Sequence, residues 1–217
     1  MINYLNPNFS FKSIASNATI LLPCPDQIIG ELKNGKFFAF STRIDIDYNM
    51  QQFVNNKNLN TPIIIVLESP HKDEFDPITL QPIGPAMGKT GKNFRLFFEQ
   101  LLNGTSKSIL TNGQHTIILL NAVQFQCSLG KKLSGLDSYK NKKMRDDNFI
   151  KCFNNENDFI NRIKAINPVL VINLCTIGLK KNNLIGHVSN ELKNANIEYT
   201  VGSHPSRWDN SNNRFIK

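Results

Sequence analysis

Three polar side chains stand at the ends of apolar runs or interrupt them, and together they could carry out one kind of chemistry. Glu68 follows five apolar residues, Asn121 interrupts an otherwise apolar run, and His204 directly precedes a proline. A carboxylate, an amide and an imidazole suit the hydrolysis of a nucleoside C1′–N bond. In that reaction Glu68 would position the attacking water and offset the positive charge on the sugar. His204 would donate a hydrogen bond to the leaving base, and Asn121 would read the edge of a flipped base.

Each of the three side chains also has a purely structural interpretation. Glu68 could cap a helix or pair with a lysine, because a carboxylate next to an apolar run needs a partner or solvent. Asn121 could satisfy neighbouring loop backbone, as most buried amides do. His204 could be a turn histidine that donates to a carbonyl. The catalytic interpretation holds only if the fold brings the three side chains into one crevice.

The apolar patterns predict an α/β fold, a three-layer α/β/α sandwich with a mainly parallel four-stranded central sheet. Continuous apolar runs predict buried strands, at residues 63–67, 116–123, 169–174 and 197–201. Apolar stripes at helical spacing predict three helices, over residues 94–102, 159–166 and 184–192. Ligands in such sheets bind beyond the carboxyl ends of the strands. Residues 68–71, Asn121 and residues 204–206 would therefore converge there.

Composition indicates one domain spanning residues 1–217, with residues 1–60 as an N-terminal extension packed on it. The 217 residues are 40% hydrophobic and carry a formal net charge of +8, which fits a polyanionic partner such as DNA. The sequence has no apolar run long enough to span a membrane and no recognisable signal peptide. The four cysteines form no CxxC pair. We expect a cytoplasmic monomer without cofactor or metal.

Three short motifs, in this order, resemble those of the uracil-DNA glycosylase superfamily. They are Leu67-Glu68-Ser69-Pro70-His71, Leu119-Leu120-Asn121-Ala122-Val123 and His204-Pro205-Ser206, and residues 88–98 are similar to the Gly-rich loop and helix between the first two. The resemblance covers about residues 61–208. It implies catalytic roles for Glu68 and His204 and a base-reading role for Asn121. It also implies excision of uracil, or of a related base, from DNA.

Several departures from the family pattern bear on the substrate. Leu67 replaces the usual first glycine, and Ser69, which we include among the catalytic candidates, replaces a catalytic aspartate. Ala86 or Met87 stands where many members carry an aromatic ring that stacks on the base. The pocket could then accept a base larger than uracil, such as a hypermodified base of phage DNA. The remaining predicted base contacts are Pro70 and His71.

One branch of the superfamily holds an iron–sulfur cluster on four cysteines. That branch is the one whose catalytic glutamate Glu68 matches. Its N-terminal cysteine pair has no counterpart here, and Cys175 directly follows the buried strand predicted at residues 169–174. No cluster is expected.

The loops around the motifs supply candidate DNA contacts. Backbone N–H groups at Gly88, Lys89 and Thr90 could hold a phosphate at a helix N-terminus. Ser203 and Ser206 flank the histidine motif, and Arg207 or Trp208 could be the wedge that replaces the flipped base. Alternatively, Trp208 packs against the C-terminal tail. Residues 131–151 are polar and basic and are predicted to form a long exposed loop that contacts the DNA backbone or is simply solvated.

Two other classes of function remain open on the sequence. Residues 84–90 look like a phosphate loop, but only three residues separate its glycines where the nucleotide-binding pattern needs four. A hydrolase of free nucleotides would not be inhibited by DNA. A non-catalytic nucleic-acid-binding module would keep its binding when Glu68 and His204 are replaced. Base identity, strand preference and a role in repair or phage defence cannot be distinguished from the sequence.

Overall fold

A computed structural model describes residues 23–48, 61–79, 81–103, 112–127, 138–155 and 158–208. Its centre is one six-stranded sheet with the order β2-β1-β4-β3-β5-β6. The strands are β1 (Gln27–Lys33), β2 (Lys36–Asp45), β3 (Ile63–Leu67), β4 (Gln114–Asn121), β5 (Leu170–Asn173) and β6 (Tyr199–Val201). Strands β3 to β6 pair in parallel, whereas β1 runs antiparallel to both β2 and β4. The mixed α/β fold and the four parallel strands are confirmed, but the predicted strand count of four is wrong.

Within the described ranges, four helices accompany the sheet: α1 (Lys89–Asn103), α2 (Ser138–Asn155), α3 (Asp158–Ile166) and α4 (Leu184–Asn194). Short 3-10 turns cover Lys72–Glu74 and Pro205–Arg207. The predictions of α1, α3 and α4 are confirmed. The predicted long loop at residues 131–151 is wrong over residues 138–151, where α2 lies, while residues 131–137 are outside the described ranges. The apolar stripe of α2 is short, and its buried residues Phe149, Cys152 and Phe153 lie near the C-terminal end of the helix. The basic residues before this stripe conceal the helical spacing in the sequence.

Apolar side chains pack on both faces of the sheet. On one face, Phe94 and Phe98 of α1 pack with Ile63 and Ile65 of β3. On the other face, Ile64 and Val66 join a cluster contributed by α2, α3 and α4. Successive residues of β3 point to opposite faces, so burial on both faces explains its unbroken apolar sequence. Among the described helices, none is long and apolar enough to cross a membrane.

The described part of the N-terminal sixty residues belongs to the sheet itself. A tight turn at Asn34-Gly35, both with positive φ, joins β1 to β2, as an Asn-Gly pair commonly does in hairpins. The prediction of an extension merely packed on the domain is therefore corrected for residues 27–45. The sequence of this region has two short apolar runs. Residues 37–40 lie in β2, whereas residues 18–22 are outside the described ranges.

A buried ion pair fixes the end of β4 to helix α3. Arg162 Nη1 lies 2.7 Å from Asp26 Oδ2, and both side chains are almost wholly buried. The other terminal nitrogen, Nη2, donates to the carbonyls of Asn121 at 3.0 Å and Ala122 at 3.2 Å. Tyr48 donates a further hydrogen bond to Asp26. The strand end that carries Asn121 is thus held by charge-assisted hydrogen bonds, which are stronger than neutral ones.

Candidate active site at the carboxyl ends of the parallel strands

A cavity of about 330 Å³ lies where β3 ends and where the segments after β5 and β6 begin. We call it the Glu68 cavity. Its wall contains polar side chains from five separate parts of the chain. The wall residues are Leu67, Glu68, Ser69, His71, Asp73, Glu74, Gly88, Lys89, Thr90, Lys142, Arg145, Thr176, His204 and Ser206. The predicted convergence of the first and third motifs is therefore observed.

Glu68 is held in the cavity by two fixed partners. The residue is 8% exposed, and its Oε2 accepts a hydrogen bond from the backbone N–H of Thr176 at 2.9 Å. Arg145 Nη1 lies 3.5 Å from Oε1. The carbonyl of Glu68 accepts from the N–H of Val123, so the strand end itself is anchored. A carboxylate with one partner on each oxygen has a defined orientation and keeps acceptor capacity for a water.

Arg145 is itself locked by the neighbouring Asp146, which is fully buried. Arg145 Nε and Nη2 donate to Asp146 Oδ1 at 2.8 and 2.5 Å. The other oxygen of Asp146 accepts from the N–H of Leu179 at 2.6 Å and from the amide of Asn182 at 3.2 Å. Asp146 therefore fixes both the cation beside Glu68 and the loop that begins at Thr176. A side chain on Gly178 would come within 2.7 Å of Asp146 Oδ2, which favours glycine there.

His204 stands at the start of the turn Pro205–Arg207 with a defined ring orientation. The backbone N–H of Ser206 lies 3.2 Å from its Nδ1, and Ser206 Oγ lies 2.8 Å from the same nitrogen. A backbone N–H is always a donor, so Nδ1 is an acceptor and the neutral ring carries its proton on Nε2. Burial lowers the pKa of His204, and the cations of Arg145 and Arg207 act in the same direction against the opposing charge of Glu68. The imidazole is therefore a neutral Nε2–H donor at neutral pH.

The segment that carries His204 is fastened to helix α1. The amide nitrogen of Asn93 donates to the carbonyls of Pro205 and Trp208, both at 2.9 Å. The indole N–H of Trp208 donates to the carbonyl and hydroxyl of Ser203 at 2.9 and 3.0 Å. The Trp208 ring stacks on Phe94, and the residue is 2% exposed. A wedge role for Trp208 is therefore wrong: it packs in the core, and Arg207 is the exposed candidate.

Asn121 lies next to the cavity but is not part of its wall. It pairs in register with Leu67 of β3 and is 1% exposed. Its Nδ2 donates to Glu74 Oε2 at 3.2 Å, and Glu74 is a wall residue. Its Oδ1 is buried and has no hydrogen-bond partner among the described residues. Glu74 thus stands between the predicted base-reading amide and the cavity.

The Gly-rich segment is shaped by close packing onto β1 and β2. Gln27 Nε2 donates to the carbonyl of Ile83 at 2.9 Å, and Arg43 donates to the carbonyl of Pro85. Ala86 has a positive φ of 55°. A side chain on Gly91 would lie 1.7 Å from the Ala86 carbonyl oxygen, so only glycine fits. The close approach of helix α1 to this loop therefore explains at least one of its glycines without a phosphate.

The predicted site residues divide into two groups. Those in the cavity wall are Glu68, Ser69, His71, Gly88, Lys89, Thr90, His204 and Ser206. Those outside it are Pro70, Ala86, Met87, Asn121, Ser203, Arg207 and Trp208. Pro70 and Ala86 are buried beneath the surface, so direct base contacts by these two find no support. Met87 and Arg207 are exposed. The predicted base contact of Met87 and the predicted DNA contact of Arg207 stay predictions.

Sequence reasoning missed several residues of the site. The sequence patterns assign no role to Glu74 or to Asn93. Arg145 lies in the basic stretch at residues 131–151, where nothing in the sequence distinguishes it from the other cations. Thr176 contributes a backbone N–H, which no side-chain pattern reveals. The apolar residues that follow Arg145 at helical spacing are the one signal that could have predicted helix α2. That helix carries the wall residues Lys142 and Arg145.

The four cysteines are free and buried. Among the described residues, no group of three or more histidine, cysteine or acidic side chains is arranged to hold a metal ion. Comparison of the chain with protein-family models, with curated proteins and with solved structures found no match. The functional assignment is therefore argued from the geometry of the Glu68 cavity.

Proposed function

We propose that the protein is a monofunctional DNA glycosylase that flips out uracil or a bulkier modified pyrimidine and hydrolyses its N-glycosidic bond. The observation that carries the proposal is that Glu68 and a neutral His204 both lie in the wall of one cavity. A carboxylate and a neutral hydrogen-bond donor are the two groups that this hydrolysis requires, one for the sugar and one for the base.

The proposed mechanism uses only protein groups and water. Glu68 orients a water toward C1′ and accepts its proton as the C–O bond forms. Its negative charge also offsets the oxocarbenium character of the sugar. The C1′–N bond electrons pass to the base, and the Nε2–H of His204 stabilises the charge on the base oxygen. Water is the nucleophile, and no lysine is assigned as one, so the products are a free base and an abasic site in an intact strand.

The surroundings of the cavity support DNA as the partner. Lys89 and Lys142 are exposed side chains in its wall, and Arg207 is exposed in the turn that follows His204. The formal net charge of the chain is +8. Cations near the site would neutralise the phosphates that flank an extruded nucleotide. We propose that Arg207 occupies the space left by that nucleotide.

The size of the cavity supports a base larger than uracil. A cavity of roughly 150 Å³ is enough to hold a benzene-sized ring, whereas the Glu68 cavity measures about 330 Å³. The additional volume is shared by the deoxyribose, the attacking water and any substituent on the base. We also propose that the parallel strands have a uracil-DNA glycosylase-like arrangement. The protein would act as a cytoplasmic monomer on duplex or single-stranded DNA, either in repair or in phage defence.

The test is incubation with duplexes that carry uracil, hypoxanthine, 5-hydroxymethyl or glucosylated pyrimidines, followed by alkali to reveal abasic sites. We expect cleavable sites on at least one duplex and a loss of turnover of about 100-fold or more in Glu68→Gln and His204→Gln, with DNA binding retained. Glu191→Gln, at an exposed position on α4, is the matched control. Retained binding with no abasic site on any duplex would instead indicate a non-catalytic binding module.

A further inference from the structure

Glu74 is a buried acid in the wall of the Glu68 cavity that the proposed mechanism does not use. It is 5% exposed, and it lies in the turn Lys72–Glu74 that follows the first motif. Its Oε2 accepts from Asn121 Nδ2 at 3.2 Å, and the thiol of Cys24 lies 3.9 Å from the same oxygen. A carboxyl group that meets both the cavity and the predicted base-reading amide is well placed to contact the edge of a base.

The surroundings of Glu74 keep a proton within reach at neutral pH. Burial raises the pKa of Glu74 to about 7, against the opposing effects of the Asn121 amide, the backbone N–H groups of Ala86 and His71, and the cation of Arg43. The Cys24 thiol stays neutral, because burial raises its own pKa far above the usual range. Arg43 is thus the charged group that faces Glu74 from β2. At neutral pH the carboxyl is divided between its acid and its carboxylate.

A carboxyl group at this place discriminates between the two kinds of pyrimidine. Uracil leaves as an anion, and a carboxylate beside it would repel the charge that develops in the transition state. A 4-aminopyrimidine is a poorer leaving group unless its ring nitrogen N3 is protonated. It also presents an acceptor at N3 beside an amino donor. That pattern complements a carboxylic acid, and carboxylates accept from the amino group of cytosine in DNA recognition.

We propose that Glu74 reads the N3 and 4-amino edge of a cytosine-type base and protonates N3 while the C1′–N1 bond breaks. The inference rests on the proposed glycosylase function. The C1′–N1 electron pair passes into the base, the proton of Glu74 moves to N3, and the base leaves neutral. Water supplies hydroxide to C1′ and its remaining proton to Glu68, and solvent then returns both carboxyl groups to their starting states.

The contact with Asn121 helps to fix the orientation of Glu74 in the cavity wall. Asn121 Nδ2 donates to Glu74 Oε2, and Asn121 itself is 1% exposed and lies outside the wall. A protonated Glu74 offers an O–H donor beside a carbonyl acceptor. These two groups match the ring nitrogen N3 and the 4-amino group, whereas uracil offers a single N–H on that edge.

The experiment compares duplexes matched at C5 that differ only in the base edge. Cytosine and uracil, in unsubstituted, 5-hydroxymethyl and glucosylated forms, are each incubated with the full-length protein under single-turnover conditions. We expect the cytosine-type member of the reactive pair to be released at least about tenfold faster. Its rate should fall as the pH rises through about 7, because Glu74 loses its proton.

Glu74→Gln separates proton transfer from packing. Glutamine is nearly isosteric and can still pair with a cytosine edge, but it has no proton to give. We expect release of the cytosine-type base to fall by about 100-fold and to lose its alkaline decline, and the preference for the cytosine-type over the uracil-type base to be lost or reversed. Equal losses on both bases, or faster uracil-type release by the unaltered protein, would overturn the inference and leave the glycosylase function standing. The comparison in the unaltered protein stands even if the variant does not fold. No release from any duplex would overturn both.

Discussion

Replacing Arg145 with glutamine tests whether a fixed cation beside Glu68 contributes to the reaction. The change keeps a polar side chain of similar length and removes one positive charge. At 3.5 Å and an effective dielectric constant near 20, the attraction to Glu68 amounts to about 5 kcal/mol. The side chains are 19% and 11% exposed, so solvent screening and desolvation offset most of it. A net effect of about 1–2 kcal/mol remains, which corresponds to a rate loss of roughly 5- to 30-fold.

The assay for Arg145→Gln is the single-turnover rate of base release, measured across pH. We expect the rate constant to fall with little change in DNA affinity, because the cation holds Glu68 rather than a phosphate. The acid limb of the profile should also shift. The Arg145 cation helps to lower the pKa of His204, so its removal raises that pKa and delays the formation of the neutral, active ring as pH rises.

The matched control is Lys143→Gln on the same helix, where the lysine pairs with the exposed Asp147. It removes the same charge from the chain and should leave the rate unchanged. If Arg145→Gln and Lys143→Gln lower DNA affinity equally and leave the release step intact, the cation acts only on the DNA backbone. That result would refute the positioning of Glu68 by Arg145.

Three further predictions concern the groups that hold the site. Gly178→Ala should lower the rate and the thermal stability, since glycine has a φ of 72° there and a side chain would press on Asp146. If a stabilising substitution far from the site restored both the rate and the thermal stability of Gly178→Ala, a role for Gly178 in orienting Glu68 would be excluded. Trp208→Ala should cost about 3–5 kcal/mol of unfolding free energy by denaturant titration, and it should impair duplex and single-strand activity alike. A selective loss on duplex DNA would restore the wedge interpretation. Arg162→Met should destabilise by about 3–5 kcal/mol, because Asp26 is left buried without its cationic partner. An unchanged melting midpoint would show that the pair does not hold the end of β4.

The parallel half of the fold could be predicted from the sequence because its signals are local. The unbroken apolar residues of β3 can be satisfied only by burial on both faces, and the stripe of α1 repeats over three turns. The antiparallel pair β1 and β2 was missed although Asn34-Gly35 is a strong hairpin signal. Strand β2 carries apolar side chains on its solvent face, where Phe38 is 52% and Ile44 is 50% exposed. These residues obscure the alternation of apolar and polar residues that is expected of an edge strand.

The site could be predicted only in part, because residue types reveal chemistry better than they reveal contacts. Glu68 and His204 follow strand ends, and the rule that parallel strands gather their carboxyl ends brings them together. Asn121 was expected to face the base, but the intervening position of Glu74 depends on how the 3-10 turn folds back against β4. Burial of Trp208 depends on the distant Asn93 and Phe94. Neither arrangement has a signature in the local sequence.

The most direct test of the central claim is to run the reaction in isotopically labelled water with borohydride present, which reduces the abasic aldehyde before its oxygen exchanges with solvent, and to analyse the products by mass spectrometry. If Glu68 directs water to C1′ beside a neutral His204, the abasic sugar carries the heavy oxygen, the free base carries none and the strand stays intact. Glu68→Gln should abolish the labelled product while DNA is still bound. Unlabelled product, strand cleavage through a trapped lysine adduct, or full labelling by Glu68→Gln would contradict the proposed mechanism.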